Sequence, residues 1–356
     1  MKRIIVDLAE NRYDIQIEAG SLDRIGPMVA PFAKGKRAAI ITDRHVDELY
    51  GPRLQQSLEF AGLVVRRIVI EPGEASKNLA VLASVYDQLA DFGMTRSDIV
   101  VTLGGGVPGD LGGFAAATYL RGVPFVQVPT TLLAQIDSSV GGKVAIDLPA
   151  GKNLVGNFYQ PVAVYIDPLL LQTLPMRYLH DGLAEAIKYG CIRDEKLFAL
   201  IESFTNDDAL LAHIEQVIQS CCTIKARIVE ADEFDRGERM ILNFGHTLGH
   251  AVETYYGYKQ FTHGEGVAIG MAMLTERTEA LGLTAAGTGR RLRQVLQQYG
   301  LPVTVDVSRD ELLQRVGHDK KKSGNQLTLI ILESLGKGRL FPIPYESCAD
   351  YVKEGR

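Results

Sequence analysis

The chain has 356 residues, of which 46% are hydrophobic and 23% charged, and a formal net charge of −5. At roughly 150 residues per domain, that length supplies about two domains with buried cores, in a composition ordinary for globular chains and unlike disordered ones. No apolar run of about 18 residues is present to cross a bilayer, and the acidic net field repels nucleic acid, so neither a membrane nor a nucleic acid is expected as a partner.

At the start, Met1-Lys2-Arg3 leads into Ile4-Ile5-Val6 and then Asp7. That apolar run is too short for a signal-peptide core, so the mature chain is expected to begin at residue 1. Short β-rich runs follow at 3–7, 13–18, 38–43, 64–71, 98–103 and 124–128. Helical periodicity separates them at 22–32, 48–61, 78–92 and 110–120. Strands alternating with helices of crossover length predict an α/β domain with a mostly parallel sheet. Beyond residue 167 the pattern turns helical, at 169–174, 181–191, 194–203, 207–230, 246–256, 264–280 and 288–299. Pro175 interrupts the periodicity between the two regimes. We therefore expect an α/β domain over 1–175 and an all-α domain over 176–356.

The densest glycine signal is Gly104-Gly105-Gly106-Val107-Pro108-Gly109-Asp110, which follows an apolar strand and opens a helix. Gly104, Gly106 and Gly109 have the spacing of a turn that lets backbone N–H groups approach a pyrophosphate. The loop lies mid-domain, with no acid near 125–130, so a plain strand-to-helix turn accounts for it equally well. Polar segments recur at expected strand ends: Thr130-Thr131, Asp137 to Lys143, and Gly151-Lys152-Asn153. Ligands of open α/β sheets bind beyond the carboxyl ends of the strands, which is where these groups fall.

Three of the seven histidines fall within eighteen residues, as His246, His250 and His263. His246 and His250 are one helical turn apart and share a face, so they could hold a cation together, divide metal and substrate between them, or be a hydrogen-bonded structural pair. Glu185 sits among small and apolar residues, where a bare carboxylate needs a cationic partner. Lys188, three residues on, could be that partner through an ordinary helical ion pair. Lys225, Arg239 and the run Lys320-Lys321-Lys322 add positive charge to this half. The four cysteines, Cys191, Cys221, Cys222 and Cys348, form no Cys-x-x-Cys motif and read as reduced, cytoplasmic thiols.

Read in order, the segments Pro72-Gly73-Glu74-Ala75-Ser76-Lys77, 104–122, 129–143, 149–156, 182–190, 239–250 and His263-Gly264-Glu265 resemble the 3-dehydroquinate synthase family of sugar-phosphate cyclases. The resemblance covers most of the chain. It implies conversion of 3-deoxy-D-arabino-heptulosonate 7-phosphate to 3-dehydroquinate and phosphate, in the shikimate pathway. The steps it implies are transient oxidation by NAD, phosphate elimination, re-reduction and intramolecular aldol closure.

The resemblance makes Glu185, His246 and His263 ligands of a divalent ion, zinc or cobalt, and gives His250 to the substrate. It assigns NAD contacts to Asp43, Glu74, Lys77, Gly106, Val107, Pro108, Gly109, Asp110, Thr130, Thr131, Asp137, Lys143, Lys152, Leu170 and Thr173. The substrate phosphate would meet Lys143, Asn153, Lys188, His250 and, from a second subunit of a homodimer, Arg121. The carboxylate would meet Lys225, Arg239 and Lys320, and Asn243 would hold a ring hydroxyl. Pro108 stands where many relatives carry an aliphatic residue, which removes one backbone donor near the pyrophosphate. The alternatives are another sugar-phosphate cyclase, or a metal-dependent NAD polyol dehydrogenase of related fold, for which a neutral substrate would make the Lys225 and Arg239 cations superfluous.

Overall fold

Aliphatic and β-branched runs in the first part of the chain form β1 (Lys2–Asp7), β2 (Arg12–Ile17), β3 (Arg37–Asp43), β4 (Val64–Ile70), β5 (Ile99–Gly104), β6 (Phe125–Pro129), β7 (Lys143–Leu148), β8 (Gly151–Phe158) and β9 (Ala163–Ile166). Helices α1 (Ile25–Val29), α2 (Arg44–Phe60), α3 (Leu79–Asp91) and α4 (Gly106–Thr118) run between them. The computed structural model describes residues 1–316 and 325–352. Its chain divides into two units, Met1–Leu174 with Lys225–Phe234, and Pro175–Ile224 with Asp235–Arg356.

In the first unit, seven strands form one sheet in the order β1-β2-β9-β6-β5-β3-β4. Every pairing is parallel except the β1–β2 hairpin, as the alternating pattern predicts. Successive side chains of a strand point to opposite faces. Ala38 and Ile40 therefore join a core with Val46, Leu54 and Leu58 of α2, while Ala39 and Ile41 join one with Leu82 and Val85 of α3 and Leu111 of α4. Both faces are covered, so the central strands β3, β5 and β6 are mostly apolar, with Thr42, Thr102 and Gln127 buried among them. The chain leaves β3 for β4 on one side and returns to β5 on the other. The crevice beyond the carboxyl ends of β3 and β5 is thus a topological switch point, the place where open α/β sheets take ligands.

Some predicted boundaries move. Helix α4 starts four residues before the expected 110, because the glycine run forms its first turn. The expected helix at 22–32 is a short α1 flanked by 3-10 turns, in a segment carrying Pro27 and Pro31. Strands β7 to β9 were not expected. The first two pair only with each other, in an antiparallel ribbon.

The segment Lys225–Phe234 is anchored within the first unit by side chains. The Asp7 amide donates to Glu230 Oε1 at 2.8 Å, Gln160 Nε2 donates to Glu233 Oε1 at 3.0 Å, and the Phe158 and Phe234 rings meet edge-on at 5.5 Å.

The second unit is mainly helical: α5 (Met176–Arg193), α6 (Glu195–Ser203), α7 (Asp207–Ala212), the first part of α8 (Ile214–Ala231), α9 (His246–Tyr255), α10 (His263–Ala280), α11 (Thr288–Gln298) and α12 (Arg309–Val316). The single helix expected over 207–230 is broken at His213 into α7 and α8. The expectation of an all-α domain is also incomplete, since β10 (Gln326–Ser334) and β11 (Lys337–Pro344) pair as an antiparallel hairpin. Leu329, Ile331 and Ile343 of that hairpin pack into one core with α9, α10 and α12. Helix α5 is buried on all sides from Asp181 to Ile192, which marks it as the central helix of this unit. Its polar side chains must therefore find partners inside the protein.

Candidate active site

Three polar groups punctuate the buried stretch of α5, and each is met. Asp181 Oδ1 accepts from the Gly264 amide at 2.5 Å, which pins the start of α10 to α5. Glu185, one turn on, is fully buried and forms an ion pair with Lys188, which is itself 1% exposed. The ordinary helical pairing that the sequence left open for Lys188 is the one present. Lys188 Nζ also lies 5.2 Å from the centre of the Tyr189 ring.

The other oxygen of Glu185, Oε1, is 3.6 Å from His246 Nε2 and 3.6 Å from His263 Nε2. These imidazoles come from two different helices, and close helix packing brings them together. A Cβ on Gly270 of α10 would lie 2.0 Å from the Gly245 carbonyl, and one on Gly249 of α9 would lie 2.8 Å from the Gly266 carbonyl. Gly245 and Gly249 are spaced by one turn, as are Gly266 and Gly270, so two side-chain-free strips let the backbones approach. Gly245 also has φ 81°, the left-handed conformation that lets the chain turn directly into His246.

The donor set fits a divalent cation. Tetrahedral bonds of about 2.0–2.2 Å place ligand atoms roughly 3.3–3.6 Å apart, the spacing of Glu185 Oε1 from each nitrogen. The Glu185 oxygens receive no hydrogen bond of ordinary geometry among the described residues, as suits a carboxylate awaiting an ion. His246 Nδ1 faces the Phe244 carbonyl at 3.2 Å, so that nitrogen carries the proton and Nε2 offers its lone pair. Burial, then the charge of Lys188 and the neighbouring imidazoles, hold His246 well below the usual imidazole range. A neutral ring is the form that ligates. For His263, burial pulls downward, but its hydrogen bond to Glu253 and the charge of Glu185 outweigh it and raise the ring on balance.

His250, the spacing partner of His246, is near it with ring centres 5.3 Å apart, but its side chain is 59% exposed and it faces Glu253 rather than Glu185. Arg239 is buried at 2% exposure and Asn243 is exposed, both in one 3-10 turn leading to α9. Lys320 lies outside the described residues. The sequence reading missed Asp181 and Glu253. Both could have been found from spacing: Asp181 is one turn before Glu185, and Glu253 is three residues after His250.

In the first unit, the glycine turn 104–109 joins the end of β5 to the start of α4, at the switch point. Gly105 caps α4, and a Cβ there would crowd the Thr131 methyl at 3.1 Å. The Thr130 amide donates to the Gly104 carbonyl at 2.9 Å. A helix's first turn leaves its amides without intrahelical acceptors. Pro108 has no N–H and Gly109 donates to the Gly105 carbonyl at 3.2 Å, so Gly106 and Val107 supply the open donors. The Pro108 ring also explains Gly104, where a Cβ would lie 2.6 Å from Pro108 Cγ.

Lys77 Nζ donates to Asp110 Oδ2 at 2.6 Å and to Asn153 Oδ1 at 2.5 Å, and Lys152 Nζ is 3.8 Å from Glu74 Oε1. Burial pushes the Asp110 carboxyl up against the pull of Lys77. Burial pulls the Lys77 ammonium down, and Asp110 and Glu74 more than restore it.

Asp137 lies in a π-helical turn, Ala134–Ser138, and Lys225 is paired to its carboxylate while donating to its carbonyl at 2.7 Å. The residues expected at substrate and cofactor respectively are thus bonded to each other. Lys143 is exposed at the start of β7. Asp43 accepts from the Val46 amide at 3.0 Å and so caps α2. Leu170 packs its side chain in the core, its carbonyl accepting from Tyr50, whose hydroxyl also meets Thr173 Oγ1 at 2.5 Å.

A family model described as 3-dehydroquinate synthase N-terminal matches residues 67–181, and one described as 3-dehydroquinate synthase C-terminal matches residues 182–322. A curated 3-dehydroquinate synthase of Clostridium acetobutylicum is 52% identical over 337 residues, covering 94% of this chain and 95% of the relative. Among solved structures, 2-deoxy-scyllo-inosose synthase complexed with carbaglucose-6-phosphate, NAD+ and Co2+ aligns over 100% of both chains with TM-score 0.89 and 24% identity. A 2-epi-5-epi-valiolone synthase from Streptomyces hygroscopicus with NAD+ and Zn2+ bound aligns over 96% of this chain and 97% of its own, with TM-score 0.87 and 26% identity.

Proposed function

The chain belongs to the 3-dehydroquinate synthase family, and from that premise we propose that it converts 3-deoxy-D-arabino-heptulosonate 7-phosphate to 3-dehydroquinate and phosphate, as a carbon–oxygen lyase of the cytoplasm. The observation that carries the reading is a fully buried carboxylate, Glu185, whose Oε1 stands 3.6 Å from the Nε2 atoms of two imidazoles. We assign that set to zinc or cobalt, and the switch point of the first unit to NAD. When bound, NAD takes up and returns a hydride, and the ion serves as a Lewis acid toward the substrate's oxygens.

The chain's own part is to hold charge and orientation. In the second unit, Lys188 and His250 are assigned to phosphate, Arg239 to the carboxylate by a bidentate guanidinium fork, and Asn243 to a ring hydroxyl. In the first unit, Lys143 and Asn153 are assigned to phosphate and Lys225 to the carboxylate, in exchange for its present partner Asp137. NAD contacts are assigned to Asp43, Glu74, Lys77, the 106–110 turn, Thr130, Thr131, Asp137, Lys143, Lys152, Leu170 and Thr173. Fixing one substrate through several steps can supply roughly 7–11 kcal/mol of a barrier.

The working form is assigned as a homodimer in which Arg121 serves the other subunit's site. Arg121 is exposed, with φ 66°, between Leu120 at φ 50° and Gly122 at φ 123°. Two successive non-glycine residues in the left-handed region are costly and call for a reason beyond turning the chain. The four cysteines are buried thiols, and no helix among the described residues is long and apolar enough to cross a membrane.

The test is incubation of the purified protein with the heptulosonate phosphate, NAD and zinc. Release of inorganic phosphate with a carbocyclic product and no net NADH is expected. Absence of phosphate release overturns the proposal, and NADH accumulating with a simple polyol would establish the dehydrogenase alternative.

A further inference from the structure

We propose that Glu253 is a positioning residue of the metal centre, fixing which nitrogen of His263 faces the ion and tying that ring to His250. The inference rests on the metal assignment above and concerns a residue that the assignment does not use. Glu253 lies on α9, two turns beyond His246, and is 4% exposed. A carboxylate so placed needs a partner. Its Oε1 is 3.4 Å from His263 Nδ1, while the opposite nitrogen of that ring, Nε2, is 3.6 Å from Glu185 Oε1.

One imidazole therefore stands between two buried carboxylates, and the two cannot play the same part. A neutral imidazole has one N–H and one lone pair. With the proton on Nδ1, toward Glu253, the lone pair of Nε2 is directed at the space beside Glu185. His246 reaches the same state by a different device, its Nδ1 facing the Phe244 carbonyl at 3.2 Å. A carbonyl can only accept, so His246 is oriented by the backbone. His263 is the first residue of α10 and takes its orientation from a carboxylate on the neighbouring helix. A charged acceptor also makes the ring a better donor to a metal than a carbonyl does.

The second oxygen of Glu253 faces His250 Nε2 at 3.9 Å. The same carboxylate thus borders a metal-ligand ring and the ring assigned to the substrate's phosphate. The geometry admits a rival, because His250, Glu253 and His263 also bring donor atoms within 4.8 Å of one another and could hold a cation themselves. That cation would have to share His263 with the first, and one neutral ring has a single lone pair to give.

The experiment compares the wild-type chain with Glu253→Gln, which keeps the side chain's size and removes its charge. Metal is stripped, zinc affinity is measured by competition with a chromophoric chelator, and the visible spectrum of the Co2+-loaded protein is recorded beside the melting temperature of the metal-free form. We expect one metal per wild-type chain, a zinc Kd raised roughly 10–100-fold in the variant, an altered cobalt spectrum, and an apo melting temperature within about 4 °C of wild type. Unchanged affinity and spectrum overturn the inference while leaving the metal assignment intact. Two metals per wild-type chain falling to one in the variant overturn it in favour of Glu253 as a ligand, and a wild-type chain that takes up no metal overturns both readings. Should the variant not fold, the zinc-loaded wild-type crystal structure decides. Metal on His263 Nε2 with Nδ1 on Glu253 is expected, and metal on Nδ1 or on Glu253 itself overturns the proposal.

Discussion

Replacing Gly270 by Ala tests whether helix packing, and not only ligand identity, builds the metal centre. The added Cβ would lie 2.0 Å from the Gly245 carbonyl oxygen and 2.9 Å from the Gly249 amide nitrogen, both of them backbone atoms that no rotamer change can move. Close-packed contacts tolerate nothing much below about 3 Å, so α9 and α10 must part locally by about 1 Å. Overpacking of this kind costs roughly 1–3 kcal/mol, which for a unit of this size lowers the melting temperature by roughly 2–12 °C.

The functional cost is larger than the structural one. His246 follows Gly245 directly, and metal–ligand distances tolerate about 0.2 Å, so a displacement several times that size breaks the set although every ligand is still present. Differential scanning calorimetry of the metal-free protein and chelator competition for zinc give the two numbers. Gly270→Ala binding zinc as tightly as wild type and melting within about 1 °C of it would refute the argument that these glycines set the ligand geometry.

Three further outcomes follow from the same structure. Glu185→Gln strips the buried Lys188 of its carboxylate charge and should cost roughly 3–5 kcal/mol, together with zinc binding; Glu185→Gln combined with Lys188→Met should regain the melting temperature but not the metal, and a double variant as unstable as the single one would contradict this. For Glu265, burial alone would raise the carboxyl, but the Arg177 hydrogen bonds and the Thr262 amide lower it on balance from its ordinary 4.5. Its contribution is therefore fully present above that value and lost as pH falls through the lower folded value, so melting temperature should decline below about pH 4.5, less steeply in Glu265→Gln, and parallel profiles would count against it. If Arg121 completes the partner's site, Arg121→Ala and His246→Ala are each inactive alone, yet co-expressed they should recover about a quarter of wild-type activity through statistical heterodimers, and no recovery would argue for sites complete within one chain.

Residue chemistry was the legible part of the site. Glu185 stood out because a carboxylate among Leu183, Ala184, Ala186 and Ile187 has no business with water, and the structure buries it fully. Spacing favoured His250 over His263 as the partner of His246, because one turn of separation shows only what shares a helix. It placed His250 correctly beside His246, but the ring that reaches Glu185 comes from α10. The four glycines at 245, 249, 266 and 270 were visible as letters, but that they face each other is a tertiary fact. In the first unit the parallel sheet was legible from largely apolar runs such as Ile99–Gly104, buried at every position. The β7–β8 ribbon was not, since β8 is largely exposed and owes its strand form to pairing rather than to a buried face.

The charge arrangement around Glu185 links these observations. Lys188 sits at Oε2 and the two imidazoles at Oε1. A fully buried carboxylate needs a partner inside the protein, and Lys188 is that partner on one side. With Lys188 at one oxygen, the other is turned toward the two imidazole nitrogens, where a cation could be held without displacing the lysine. The three helices that carry the set are held together by the Asp181 carboxylate accepting from the Gly264 amide on one side and by the glycine strips on the other. Ligand spacing is thereby set before any ion arrives, and the ion is asked only to complete a charge pattern that the packing has already drawn.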